Sequence, residues 1–230
     1  MAMEKILDFG CGNGDFVNQL ASRGKNVIGV DIDINQALKN YPLLKFFSLV
    51  EQSIPFDSSL FDAVYARDVL EHVDDPVQVV REINRVLKSG GLFHVSVPYH
   101  LSEKILLKIR PEYFSEIGHK RIFASGQMEK LLEENGFRMV DRKRRKSFLN
   151  LVLIILFLMK KSIANQRGDM DNSLLYKALI VINQFFDWEI TFQTKAKYFP
   201  IWPLCWAIEW LFNFILPKTI IIKAEKVSNN

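Results

Sequence analysis

The sequence predicts an α/β fold built around a mostly parallel sheet. Three observations support this: strand-like apolar runs alternate with helical patterns through the first 140 residues, the first run leads into a glycine-rich turn, and the second run ends in an acidic residue. The chain has 230 residues, of which 49% are hydrophobic and 24% are charged. This composition excludes a disordered chain, and the length fits one α/β domain with an appendage.

Five strands and their connecting helices account for the first hundred residues. We expect the strands at residues 5–9, 26–30, 45–50, 61–66 and 92–97. We expect the helices at residues 15–23, 35–40 and 76–87, the first ending at Gly24 and the last starting with proline and followed by a turn at residues 88–91.

Two further strands and one helix complete the predicted domain. An amphipathic pattern predicts a helix at residues 125–135, with Ser125 as its N-cap and Gly136 just after its end. Strand patterns follow at residues 137–141 and, near the end of the chain, at residues 219–224.

The segment between these two strands is basic and apolar. Residues 1–140 carry a net charge of −3 and residues 141–230 carry +7, and the basic run 142–146 leads into the apolar stretch 148–159. These 12 residues would span about 18 Å as a helix, which is short of the roughly 30 Å bilayer core.

An aromatic pattern follows later in the same segment. Aromatic residues recur there every four residues, so they share one helical face: Trp202, Trp206, Trp210 and Phe214. We expect an anchor that lies in the membrane interface; a helical cap over the domain and a dimer interface are the alternatives.

The glycine-rich turn at residues 10–14 suggests a ligand site after the first strand. Glycines there let the backbone pass close to a ligand. Asp31 lies 21 residues after Gly10 at the end of the next strand, where a carboxylate can accept hydrogen bonds from both ribose hydroxyls of a nucleoside. Asp8, two residues before Gly10, disfavours a diphosphate and favours a ligand with positive charge, such as an α-amino group or a sulfonium.

A family resemblance rests on five segments that occur in the family's order. The segment ILDFGCGNGDF resembles the first motif of class I S-adenosylmethionine-dependent methyltransferases, in the type 11 group that includes ubiquinone and menaquinone biosynthesis methyltransferases. The later segments are VIGVDID, SIPFDSSLFDAVYARDVLEHVDDP, LKSGGLFHVSVP and GHKRIFASGQMEKLLEENGF. The resemblance implies a Rossmann-like, seven-stranded, mostly parallel methyltransferase sheet at residues 1–147 and 218–230. Residues 148–217 would then be a helical apolar insertion between the last two strands.

The resemblance also implies the cofactor, S-adenosyl-L-methionine, and its binding residues. These are Asp8, Gly10, Cys11, Gly12, Gly14, Asp31, Ile32, Gln52, Arg67 and Asp68. Asp8 and the glycine turn would surround the methionine part and the ribose, and Ile32 would contact the adenine. Gln52 would border the adenine in a turn where the family often has Asp, and Arg67 would lie near the methyl donor.

Methyl transfer from a sulfonium depends mainly on alignment and exclusion of water, because the donor is already activated. A hydroxyl or phenol acceptor would benefit from a base, for which His72, His100 and His119 are the candidates. Each histidine also has a structural alternative, in which it shapes the pocket or holds a loop. No cysteine and histidine cluster has the spacing of metal ligands, so we expect no metal.

The predicted function is methylation of a lipid-soluble small molecule at the cytoplasmic face of a membrane. The expected partners are the acceptor and anionic lipid, through peripheral or monotopic association. Cys11 and Cys205 are far apart and no signal-peptide pattern occurs at the start, which favours a reducing compartment. The acidic first part and the lack of an Asn/Asp-Pro-Pro-Tyr sequence disfavour nucleic acid. The alternatives are a soluble small-metabolite methyltransferase and a non-catalytic cofactor-binding protein of the same fold.

The first predicted strand begins at residue 5 of the sequence, whereas relatives usually carry upstream helices that cover the cofactor. We therefore expect either that the insertion covers the site or that the cofactor binds weakly.

Overall fold

The structure, a computed structural model, describes residues 4–50, 53–145, 154–155, 158 and 217–228. The chain divides into two compact units. The first comprises Met1–Val97, Phe123–Lys143 and Ile221–Asn230, and the second comprises Pro98–Ile122 and Arg144–Ile220.

Seven strands and six helices are described in these residues. The strands are β1 (Lys5–Phe9), β2 (Asn26–Asp31), β3 (Phe46–Ser48), β4 (Phe61–Arg67), β5 (Leu87–Pro98), β6 (Phe137–Arg145) and β7 (Thr219–Lys226). The helices are α1 (Asp15–Ala21), α2 (Asn35–Asn40), α3 (Pro76–Val86), α4 (His100–Ile109), α5 (Tyr113–Ile117) and α6 (Gln127–Glu134).

The strands form one mixed sheet in the order β3-β2-β1-β4-β5-β7-β6. The β1 strand pairs in parallel with β2 and β4, β2 with β3, and β4 with β5. The last two strands are antiparallel, because Val227 donates to the carbonyl of Gly136 at one end and Lys218 donates to that of Arg145 at the other. The predicted seven-stranded, mostly parallel α/β sheet is therefore confirmed.

Central strands of the sheet are buried on both faces, which explains why they occur in the sequence as continuous apolar runs. Leu7, Phe61, Val64 and Phe93 have no exposed surface. On one face, Val17 of α1 packs in a cluster that includes residues of β1, β2 and β4. Each such side chain contributes about 2 kcal/mol by leaving water, so the core holds the carboxyl ends of the strands in fixed positions.

The β5 strand begins five residues earlier than expected. Leu87 already pairs with Phe61, and the register then shifts before Ala63 pairs with Leu92. The predicted turn at residues 88–91 is therefore an irregularity inside the strand, in which Gly90 has a φ of 72°.

The start of α6 also differs from its prediction. The N-cap position is held by Gly126 with a φ of 78°, so the expected Ser125 cap is wrong. The side-chain oxygen of Gln127 instead accepts the N–H of Ala124 at 2.8 Å, which closes a turn before the helix. Gly136 follows the helix in the left-handed region, as its position predicted.

The second unit contains two helices, α4 and α5, that the sequence patterns did not indicate. The buried face of α4 consists of Ser102, Glu103 and Leu106, so it is too polar to give an amphipathic signal. Ser102 donates to the carbonyl of Pro217, and Glu103 pairs with His119. These partners are distant in the sequence, and they determine the buried face of α4.

The expected insertion at residues 148–217 lies almost entirely outside the described residues, as does the aromatic face from Trp202 to Phe214. It remains a prediction. Among the residues that the structure describes, no helix has both the length and the apolar character needed to cross a bilayer.

Candidate functional site

The candidate site lies in the first unit, at the carboxyl ends of β1, β2 and β4. In parallel α/β sheets this edge is where ligands bind. The turn after β1 contains the three glycines, and it is fixed to β2 because the N–H groups of Gly10 and Cys11 both donate to the carbonyl of Val30, at 2.8 and 3.0 Å.

The three glycines of this turn have φ values of 75°, 52° and 86°, but their surroundings differ. A Cβ on Gly10 would lie 2.4 Å from a methyl carbon of Val69, and one on Gly14 would lie 2.9 Å from the ring of Phe46. A Cβ on Gly12 would meet no protein atom within 4 Å. Packing of the protein itself therefore requires two of the glycines, whereas Gly12 borders open space.

Asp31 connects the end of β2 to this turn. One carboxylate oxygen accepts the N–H of Gly12 at 2.7 Å, and the other accepts the N–H of Ile32 at 2.7 Å. Both hydrogen bonds orient the carboxylate beside Gly12 at the sheet edge. The side chain of Ile32 is 80% exposed, so it presents an apolar surface next to the carboxylate.

Asp8 is a buried carboxyl group at the same edge. Its side chain is 1% exposed, and neither oxygen has a hydrogen-bond partner among the described residues. Burial raises the pKa of Asp8 to about 6, while the positive charge of Arg67 acts to lower this pKa and the negative charge of Asp31 acts to raise it. A buried acid without a donor is unfavourable in the protein alone and is suited to a cationic ligand group.

Cys11 follows Gly10, and its thiol is buried. Burial, together with the negative charges of Asp8 and Asp31, raises the pKa of Cys11 to about 12. The thiol is therefore neutral at physiological pH. It packs in the core beside Gly29, where an added Cβ would lie 2.9 Å from the sulfur. This residue shapes the turn and has no nucleophilic character.

A row of side chains crosses the sheet from Asp8. The register opposes Asp8 to Tyr65 and Tyr65 to His94, so the three residues share one face of the sheet. The rings of Tyr65 and His94 stack with centroids 4.4 Å apart. Burial lowers the pKa of His94 to about 4, with the charge of Lys223 acting in the same direction, so this imidazole is neutral at pH 7.

Arg67 and Asp68 lie at the end of β4. The guanidinium carbon of Arg67 is 3.6 Å from the ring centroid of Phe16 in α1. Asp68 has a φ of 53°, and its N–H donates to Ser96 while its carboxylate accepts from the Ser96 hydroxyl at 2.9 Å. These contacts hold a strained turn where β4 ends.

The sequence analysis did not predict four residues that lie in or beside the site: Phe16, Tyr65, His94 and Ser96. Tyr65 of β4 and the pair His94 and Ser96 of β5 could have been found from alternation, because every second residue of a strand faces the same side. Using that signal requires the register between the strands, which comes from the structure.

The three candidate bases belong to three different segments of the chain. His72 is in the turn after β4 in the first unit, where its backbone N–H donates to Val69. His100 is the first residue of α4, and His119 lies in the same second unit with its side chain 8% exposed. The Nδ1 atom of His119 is 2.8 Å from a carboxylate oxygen of Glu103. Gln52 lies outside the described residues.

The fold and the turn define a class of protein, the α/β domains that bind a nucleoside between a glycine turn and an acid on the next strand. Comparison with known proteins gives the family. The model of a methyltransferase domain matches residues 2–142, and the chain therefore belongs to this family. The resemblance to class I S-adenosylmethionine-dependent methyltransferases is confirmed.

Two similar proteins have names in quinone biosynthesis. A ubiquinone biosynthesis O-methyltransferase of Chromobacterium violaceum is 32% identical over an alignment of 127 residues, which covers 49% of this chain and 53% of that protein. A demethylmenaquinone methyltransferase of Chlorobaculum tepidum is 31% identical over an alignment of 117 residues, which covers 49% of this chain and 48% of that protein. The chain thus spans about half the length of these two relatives.

A solved structure supports the fold. A phosphoethanolamine N-methyltransferase of Haemonchus contortus, in complex with phosphomonomethylethanolamine and S-adenosylhomocysteine, superposes with a TM-score of 0.61. The superposition covers 99% of this chain and 50% of that chain, at 20% sequence identity. At this identity the likeness is one of fold alone.

Proposed function

We propose that this chain is an S-adenosylmethionine-dependent methyltransferase whose cofactor binds at the edge formed by β1, β2 and β4. The observation that carries the proposal is Asp8, a buried carboxyl group with no hydrogen-bond partner among the described residues. It lies beside the turn in which Gly12 borders open space. The cofactor carries a positive charge, and this buried carboxyl group has no partner of that charge in hydrogen-bond contact, so the site and the cofactor are complementary.

Each residue of the proposed site has a separate part in binding. Asp8 would stabilise the cationic end of the cofactor, Asp31 would accept hydrogen bonds from the ribose hydroxyls, and the missing side chain of Gly12 would leave room for the ligand. Ile32 would contact the adenine with its exposed apolar surface. Gln52 and Asp68 remain proposed cofactor contacts, as do Gly10, Cys11 and Gly14 through the shape of the turn.

The bound cofactor supplies a methyl group on a sulfonium, so the protein mainly aligns the acceptor and excludes water. The candidate bases are His72, His100 and His119. His119 has the arrangement of a base oriented by an acid, because Glu103 fixes its Nδ1 side. The same buried pair also suits a purely structural role, in which it holds α4 in place.

Calorimetric titration with S-adenosylhomocysteine tests the cofactor site. We expect wild type to bind this product and Asp31→Ala to bind it more weakly, since the variant loses the hydroxyl acceptors and the hydrogen bond to Gly12. Asp33→Ala is a matched control, because Asp33 accepts only from the nearby Asn35 N–H among the hydrogen bonds of the described residues. Equal binding by all three proteins would contradict the assigned role of Asp31.

We further propose that the acceptor is a lipid-soluble small molecule of the quinone-precursor type, reached at an anionic membrane surface. The names of the two relatives and the apolar composition of residues 148–159 support this proposal. The run 142–146 begins on the exposed strand β6, where Arg142 pairs with Glu129 at 3.0 Å and Lys143 with Asp141 at 2.9 Å. Arg144 and Arg145 are the described exposed cations of this run that lie nearest in the sequence to the apolar stretch 148–159, so their substitution tests contact with lipid headgroups.

Co-sedimentation with vesicles tests the membrane proposal. We expect the protein to sediment with phosphatidylglycerol vesicles, less at high salt, and less after Arg144→Gln with Arg145→Gln. Each cation contributes on the order of 1 kcal/mol near such a surface. A matched control with Lys39→Gln and Lys45→Gln, which are exposed cations of the first unit, should sediment as wild type does. Sedimentation that ignores lipid charge, or equal loss in both double variants, would contradict the proposal.

A further inference from the structure

Arg67 is an exposed cation whose position is fixed without neutralising its charge. Its guanidinium carbon lies 3.6 Å from the centroid of the Phe16 ring, so the cation lies over the face of the ring. Within the described part of the chain, the side chain of Arg67 forms neither an ion pair nor a hydrogen bond. The N–H donors lie in the plane of the guanidinium, and the side chain is exposed, so a ligand can reach them.

Arg67 and Asp8 lie on the same side of the sheet. Asp8 opposes Tyr65 in the pairing of β1 with β4, and Arg67 is two residues after Tyr65, so alternation places both charged residues on the α1 face. The two groups interact through space, since the charge of Arg67 lowers the pKa of Asp8. They are nevertheless not an ion pair, and Asp8 has no hydrogen bond to any described residue.

Two unpaired charges of opposite sign on neighbouring strands match a ligand that carries both charges at one end. An amino-acid head is such a group, with an ammonium and a carboxylate on the same carbon. A guanidinium binds a carboxylate through two parallel hydrogen bonds, which an ammonium side chain cannot reproduce. The exposed position of Arg67 over Phe16 leaves the guanidinium available for this contact.

We propose that Arg67 binds the α-carboxylate of the cofactor's amino-acid head, while Asp8 receives the α-ammonium group of the same head. This inference rests on the proposed function. It adds the residue that recognises the α-carboxylate of the cofactor. Phe16 acts as a positioning residue, because its ring holds the guanidinium at the edge of the sheet.

Calorimetry with two ligands tests this assignment. The ligands are S-adenosylhomocysteine and its decarboxylated analogue, which lacks only the carboxylate, and the variants are Arg67→Met and Arg67→Lys. Methionine keeps an unbranched, polarizable chain over Phe16 while it removes the charge. Arg23→Met is the matched control. Arg23 is an exposed arginine between α1 and β2, so it lies near the amino end of β2, whereas the proposed site lies at the carboxyl ends of the strands.

We expect Arg67→Met to bind S-adenosylhomocysteine about 10- to 100-fold more weakly than wild type, the effect of losing hydrogen bonds between charged groups. Its affinity for the decarboxylated analogue should equal that of wild type. Arg67→Lys should lose less for the first ligand, and Arg23→Met should change neither affinity. Thermal unfolding of each variant, followed by circular dichroism, checks that all are folded at the temperature of the titration.

Equal weakening of both ligands by Arg67→Met, or unchanged binding of S-adenosylhomocysteine, would overturn the assignment. A third titration, of 3,4-dihydroxybenzoate into the complex with S-adenosylhomocysteine, tests whether the anion belongs to the acceptor instead. Loss of only this binding in Arg67→Met would show that the guanidinium serves the acceptor, and the assignment would be wrong. Wild-type protein that binds neither cofactor ligand would contradict the proposed function itself.

Discussion

Gly10 and Gly12 both have positive φ, yet the space around them differs in a way that mutation can separate. Alanine at Gly10 would place its Cβ 2.4 Å from Val69, whereas alanine at Gly12 would meet no protein atom within 4 Å. The first glycine is therefore needed by the fold, and the second is available to a ligand.

We expect Gly10→Ala to lose about 2–4 kcal/mol of unfolding free energy, from overpacking and from backbone strain. Gly12→Ala should lose only about 1 kcal/mol, from strain alone. The same Gly12→Ala protein should bind S-adenosylhomocysteine at least about tenfold more weakly, because the new methyl group fills the open space. Urea unfolding and calorimetry measure the two effects. Unchanged binding by a folded Gly12→Ala protein would contradict the ligand position.

Asp8 provides a second test at the residue scale, because its carboxylate destabilises the folded protein. Its pKa in the folded state is raised from 3.8 to about 6, so the folded state favours the protonated form of this group. The stability of the folded protein is therefore highest, as far as Asp8 is concerned, below pH 3.8, and this contribution is lost as the pH rises through 6 and the group ionises. At neutral pH the ionised group costs about 3 kcal/mol. Asp8→Asn should therefore raise the unfolding free energy by up to about 3 kcal/mol at pH 7.5, and by much less at pH 4.5.

Asp62 is the control with the opposite sign. Its pKa is lowered, first by the backbone N–H of Lys5 and also by Lys88, so it stabilises the folded state above pH 3.8. Asp62→Asn should lower the unfolding free energy at pH 7.5, and the loss should shrink as the pH falls. If Asp8→Asn also lowered stability at pH 7.5, the carboxylate of Asp8 would have a partner in the folded protein.

At the scale of elements, local patterns predicted most of the first unit. The β1 and α2 bounds agree with their predictions, and α3 starts at Pro76 as expected, with Asp75 as the N-cap that accepts from Val77 and Gln78. Asp31 was found because it follows a local strand pattern. Tyr65 and His94 were not found, because their proximity depends on the register between β4 and β5.

The α4 helix shows why the second unit was harder to predict. Its buried residues include Ser102 and Glu103, and no side chain caps its N-terminus. Buried polar groups of this kind are stable only with specific partners, and here the partners are Pro217 and His119. Such partners cannot be predicted from periodicity.

We expect Glu103→Ala to lower the unfolding free energy by about 1–3 kcal/mol, because it leaves the buried His119 without its carboxylate. Glu112→Ala, at an exposed glutamate in the same unit, should change stability by less than about 0.5 kcal/mol. Hydrogen exchange of the α4 amides should increase in the first variant alone. Equal stability of the two variants would mean that the pair with His119 does not hold α4.

At the scale of the whole molecule, the sheet brings together residues that are far apart in the sequence. Asp8, Asp31 and Arg67 come from three different strands and meet at one edge because β1 pairs in parallel with both β2 and β4. The charges at this edge are not balanced within the described protein, and this imbalance is the basis for the proposed cationic cofactor.

Titration of S-adenosylhomocysteine into wild-type and Asp8→Asn protein at pH 7.5 and pH 5 tests this claim most directly. The affinity of wild type should fall about tenfold at pH 5, because Asp8 becomes protonated there, and Asp8→Asn should bind weakly at both pH values. An Asp8→Asn protein that binds as tightly as wild type, with the same pH dependence, would contradict the cofactor site.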